Sequence, residues 1–131
     1  MNIFCEAGWR ELWDTATAAS VLKTIKLYQN NYVPTLTDTV GSYTEATFSG
    51  YVSQTLAWGA AFINGSTQAE IDATALTWTH SAGATGNTVY GIYVLDNAGA
   101  LVYAERFPAP ISMTANGDAI TYTPKATMIN Q

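Results

Sequence analysis

At 131 residues the chain is long enough to bury one hydrophobic core without metal or disulfide staples. Only 11% of its residues are charged, against roughly a quarter in an average soluble domain, and the net charge is −5. The five basic residues, Arg10, Lys23, Lys26, Arg106 and Lys125, are scattered, which argues against a direct nucleic-acid or anionic-membrane partner.

The first predicted element is an amphipathic helix over residues 6–19. Trp9, Leu12, Trp13 and Ala16 fall at i, i+3, i+4, i+7 spacing, and Glu6, Glu11 and Asp14 lie toward its amino-terminal part. Two tryptophans on one stripe make a face that either caps the domain's own sheet or docks on a neighbouring subunit. The start of the chain has no basic region followed by a long apolar run, and residues 57–63 are too few to span a bilayer. The expectation is a protein made in the cytoplasm, with neither an export signal nor a membrane span. Cys5 stands alone, so it reads as a small apolar side chain and not as part of a disulfide, a metal site or a nucleophile–base pair.

Residues 21–28 alternate as a strand, and 29–42 form a polar loop with Pro34 and Gly41, long enough to suggest a partner contact. Residues 43–51 read as a turn or short helical piece with Phe48 and Tyr51 inward. Residues 52–58 and 59–63 read as a strand pair or one bent strand, with Asn64-Gly65 as a hairpin turn. One long β segment is predicted over 67–80. It ends at His80, a lone histidine expected to be hydrogen-bonded or partly exposed and not a ligand.

Residues 88–107 are the centre of the chain. Two apolar arms, 88–95 and 100–107, flank Asp96-Asn97-Ala98-Gly99, a reversal between antiparallel strands. The first arm is apolar in both phases, Val89, Tyr93 and Leu95 against Tyr90, Ile92 and Val94, so both faces need a cover. The domain core supplies one; a helix, a second sheet or another subunit supplies the other. Glu105 and Arg106 point to opposite faces, and each needs a partner, in this chain or another. Pro108 and Pro110 are expected to end strand pairing. A short strand at 111–114, a turn at 115–118 and a final strand at 119–129 complete a single domain spanning 1–131. The fold class is mainly β: an antiparallel β-sandwich or small barrel of about eight strands over 21–129, with one N-terminal helix.

The order of segments, with TVYGIYV (88–94) and LVYAERF (101–107) as its most specific pieces and 27–34 in support, resembles a family of small β-rich structural proteins of tailed bacteriophages. That resemblance implies a virion component, a capsid decoration (cement) protein on the capsid exterior or a similar accessory. The implied partners are the major capsid protein and further copies of the chain, and sites of local threefold symmetry on a shell suit a homotrimer. It implies no catalytic residues and no cofactor. The residues themselves point to partner contacts at Trp9, Leu12 and Trp13 of the helix, Tyr32 of the loop, and Tyr90 and Arg106 of the hairpin.

Two other readings compete. Tyr32, Tyr43 and Tyr51 would suit a glycan- or receptor-binding domain of a tail or head fibre if they were exposed, whereas packed down they only hold the loop. Glu70 and Asp72 form a conceivable pair of catalytic carboxyls, but alternating acids on a strand edge more often face solvent.

Overall fold

A computed structural model describes residues 22–66 and 68–128, and the predicted helix at 6–19 lies outside them. The described residues are mainly β, with antiparallel sheets that do not close into a barrel. Strands β1 (Leu22–Tyr28), β2 (Gln54–Thr55), β6 (Asn87–Asp96) and β7 (Leu101–Met113) form a four-stranded sheet in the order β2-β1-β6-β7. Strands β3 (Phe62–Ile63), β4 (Ala69–Asp72) and β9 (Lys125–Met128) form a second, and β5 (Leu76–Thr79) pairs with β8 (Ala119–Tyr122) in a third.

The hairpin β6–β7 is built as its residues predict. Asp96 closes the turn: its Oδ1 accepts the N–H groups of Ala98 and Ala100, both at 2.8 Å. Gly99 takes φ +85°, a conformation that costs other residues about 1 kcal/mol or more. The prolines do not end the strand. Pairing stops after Gly91–Arg106 and resumes at Val89–Ile111, so residues 107–110 bulge out while β7 continues to Met113. The ladder tolerates two residues without N–H groups because both fall where no hydrogen bond is required.

The same bulge changes which β6 side chains share a face. Val89 joins Ile92 and Val94 in the main core, while Tyr90 packs beside Tyr93 and Leu95 on the other side. The main core also takes Ile25 and Leu27 from β1, Phe48, Leu56, Trp78 from β5 and Ile120 from β8. One face of the four-stranded sheet therefore packs on the two-stranded sheet.

Residues 67–80 and 119–129 were each expected as one long strand, and each is two. β4 pairs with β9 and β5 with β8, so the two segments make one antiparallel ribbon that crosses between sheets. Pairing continues to the Ala73 N–H, which reaches the Pro124 carbonyl, and the register then advances by one residue before Leu76–Tyr122. The kink falls where Pro124 cannot donate, and it exchanges the buried phase from Ile71 and Ala73 to Trp78 and His80.

The 52–63 region also departs from expectation. β2 pairs with β1 and β3 with β4, so the two pieces sit in different sheets and do not pair with each other. Between them, Trp58 bridges Ala73, and the Gly59 N–H donates to the Asp72 carbonyl. Residues 43–51 are extended with a turn at 49–50, and not helical. Phe48 is buried, and the half-buried Tyr51 hydroxyl accepts the Leu27 N–H and donates to Glu45.

Candidate functional site

The second face of β6 is covered by the loop over 29–45, a cover that the sequence reading had not considered. Tyr28, Tyr43, Tyr93 and Leu95 form a buried cluster, with Tyr32 and Tyr90 packed against it. Tyr43 stacks on Tyr93 at 5.2 Å between centroids and meets Tyr28 and Tyr32 edge-on at 5.1 and 5.7 Å. Asn30 closes the base of the loop: its amide donates to the Ser42 carbonyl and its Oδ1 accepts the Thr44 N–H, each at 2.9 Å. A short 3-10 turn, Val40–Ser42, precedes Tyr43.

Asp38 is the hub of the loop. Its carboxylate accepts the hydroxyls of Tyr32 (2.7 Å), Tyr43 (2.5 Å) and Thr35 (2.5 Å), and the Thr35 N–H (2.9 Å). Desolvation alone would raise its pKa, but the hydrogen bonds from Thr35, Tyr32 and Tyr43 outweigh it and hold the carboxyl well below its usual range. Tyr43 is pushed up, first by burial and then by Asp38. Tyr93 beneath it is pushed up to about 12, again first by burial.

Three of the six residues singled out in the sequence meet here. The Arg106 guanidinium lies over the Tyr90 ring at 5.3 Å, and it donates to the Tyr32 carbonyl at 2.6 Å and to Asn31 Oδ1 at 2.7 Å. Arg106 thus finds partners within its own chain, and so does Glu105, which accepts the Tyr122 hydroxyl. Trp9, Leu12 and Trp13 lie outside the described residues. Tyr43 and Tyr51 are spent on packing and hydrogen bonds rather than displayed, which answers the exposed-tyrosine premise of the glycan-binding reading.

A groove of about 480 Å³ runs between the loop and the outer edge of β7, lined by Pro34, Leu36, Asp38, Tyr43, Val102 and Tyr103 among others. Leu36 is fully exposed, Val33 is largely so, and Val102 is about half exposed. Among the described residues β7 is an outer strand of its sheet, so exposed apolar side chains and an unpaired strand edge lie side by side there. The sequence reading missed Asp38, Leu36 and Val102. The Thr35–Asp38 spacing was a usable signal for a side-chain-bonded turn, but the exposure of Leu36 depends on the fold.

Glu70 and Asp72 are not a solvated edge pair, because β4 is the middle strand of its sheet. Glu70 is buried and paired with Lys125 at 2.8 Å, and hydrogen bonds from Lys125 and Asn64 hold its carboxyl below the usual range. His80 is also buried, with Nε2 2.9 Å from the Thr85 carbonyl and its ring stacked on Phe48. Among the described residues no group of three His, Cys, Asp or Glu could hold a metal ion, and no helix is long and apolar enough to cross a membrane.

Asp38, Glu70 and Asp118 all have lowered pKa values, Asp118 through backbone N–H groups of Ala115 and Thr114. A carboxyl that is more acidic in the folded state stabilises the fold above its unfolded pKa, and the contribution is lost as pH falls toward the folded value. Urea midpoints should therefore be flat down to about pH 5 and fall below about pH 4, where unfolded carboxylates take up protons. Asp38→Asn should flatten part of that fall; an unchanged acid limb would show that the loop hub contributes nothing.

Compared with protein-family models, curated proteins and solved structures, the chain shows no match.

Proposed function

We propose that the protein is a non-enzymatic structural component of a bacteriophage virion, a capsid decoration protein that bridges and stabilises capsomers from the capsid exterior. The observation that carries this reading is the exposed pair Leu36 and Val102, which line the groove at the outer β7 edge, on a chain with few charges. Such a surface suits lasting contact with another protein better than free solvent. The resemblance of 88–94 and 101–107 to phage structural proteins points the same way. In this reading the sheets act as an incomplete sandwich, and 6–19 adds a helix whose Trp9, Leu12 and Trp13 face takes part in assembly. Copies of the chain associate as a homotrimer at sites of local threefold symmetry. A ligand that binds the assembled shell and not its free subunits stabilises the shell, and many modest contacts together suffice.

Purified protein mixed with undecorated heads should be retained at regular positions on symmetry axes, visible by cryo-electron microscopy, and the heads should better resist heat. Leu36→Asp with Val102→Asp should abolish retention while the protein stays folded. Absence from the shell, with binding of the isolated protein to host cells, would overturn the decoration reading in favour of a tail or fibre attachment domain.

A further inference from the structure

Glu70 sits between two groups that can react with each other. Its Oε1 is 2.8 Å from the Lys125 Nζ, and its Oε2 accepts the Asn64 side-chain N–H at 2.8 Å and the Thr127 hydroxyl at 3.3 Å. The amine and the amide thus lie on opposite oxygens of one carboxylate, itself only 6% exposed. The other end of the amide is held as well: Asn64 Oδ1 accepts the backbone N–H groups of Ser66 at 2.9 Å and Gln68 at 3.1 Å.

These are the parts an amide transfer needs. Lys125 supplies a nucleophile, and the Asn64 side chain supplies an electrophilic carbon with a nitrogen leaving group. Two N–H donors point at the oxygen on which negative charge develops. A buried carboxylate touches both the attacking and the departing nitrogen, the position of a general acid–base. We propose that Lys125 and Asn64 form an intramolecular isopeptide bond, with Glu70 as the proton carrier.

Glu70 takes one proton from the Lys125 ammonium, and the freed amine attacks the Asn64 Cγ. The carbonyl pair moves onto Oδ1, where the Ser66 and Gln68 N–H groups receive it. Nζ then loses a second proton and Nδ2 gains one through Glu70. The carbonyl reforms, the Cγ–Nδ2 bond breaks, and ammonia leaves with the remaining proton as ammonium. Glu70 returns to its carboxylate, no oxidant or external reactant is consumed, and the chain loses one ammonia and one positive charge.

The ion pair sets the pace. Glu70 holds the Lys125 ammonium above its ordinary pKa, with Asp72 acting in the same direction, so the free amine is scarce. The bond therefore accumulates slowly in the folded protein. It ties β9 to the turn before β4 and closes a loop of about 60 residues, a constraint that acts mainly on the unfolded chain.

The test is the intact mass of the purified, folded chain after prolonged ageing. The expected result is a species lighter by one ammonia, in which peptide mapping finds Lys125 joined to Asn64. Lys125→Arg keeps the positive charge opposite Glu70 but has no amine to react, and it should retain its full mass. Glu70→Gln, checked for folding by circular dichroism, should slow the mass loss at least tenfold. A wild-type chain that keeps its full mass would overturn the proposal. So would ammonia loss that persists in Lys125→Arg, since that marks a succinimide at Asn64-Gly65 instead.

Discussion

Gly91→Ala should destabilise the protein by about 3 kcal/mol or more, at the upper end of overpacking effects. A Cβ at this position would lie 2.1 Å from the Glu105 carbonyl oxygen and within 2.8 Å of the Tyr28 ring and hydroxyl. The first of these is backbone in the neighbouring strand, and it cannot rotate away as the end of a flexible side chain could. Tyr28 is fully buried and packed edge-on against Tyr43 in the tyrosine cluster, so it cannot give way either. Relief requires parting β6 from β7 where the bulge already interrupts their ladder. Urea unfolding followed by tryptophan fluorescence measures the loss. A change under 1 kcal/mol would mean that the strands separate easily there, and that the tyrosine face is softer than its packing implies.

His80→Ala should cost about 3 kcal/mol, from a cavity beside Phe48 together with the loss of the ring's contact to the Thr85 carbonyl, which keeps only the Ser49 N–H. The position joins three turns. The His80 N–H donates to the Asp118 carbonyl, the His80 carbonyl accepts the Gly117 N–H, and the next residue, Ser81, donates to Ser49. Among the described residues the ring's Nδ1 has no partner, so only Nε2 anchors a hydrogen bond. His80→Gln, which can still reach a carbonyl, should recover roughly half of the loss. Equal midpoints for the Ala and Gln variants would show that ring packing, and not the Thr85 contact, holds this end together.

The hairpin was legible because its information is local: Asp96 and Gly99 specify the turn, and Val, Ile and Tyr specify the arms. Residues 69–79 were not, because the crossing between sheets is set by Pro124, about fifty residues away, which leaves the ladder one donor short. The alternation of Ile71 and Ala73 reads smoothly into Ala75 and Thr77, and nothing nearby announces that the buried phase changes. The cover of the tyrosine face was missed for a related reason. Loops are read as solvated, yet Asn30 and Asp38 supply enough side-chain hydrogen bonds to lay this one flat on a sheet. At the candidate site, Tyr32, Tyr90 and Arg106 were chosen separately and meet within one cluster. The partners of Arg106, a carbonyl and an asparagine, carry no charge that a search for opposite signs could have found.

The order of the strands also dictates a sequence of events in time. β1 pairs with β6, and its Leu22 lies opposite Asp96, more than half the chain later. As the chain leaves the ribosome, the first strand has no long partner until the central hairpin is synthesised, and closing that gap is slow compared with forming the hairpin itself. The hairpin therefore folds first and recruits a segment made well before it. Until then Ile25, Leu27 and Tyr28 remain uncovered, a window in which crowded nascent chains can pair with one another instead of with themselves.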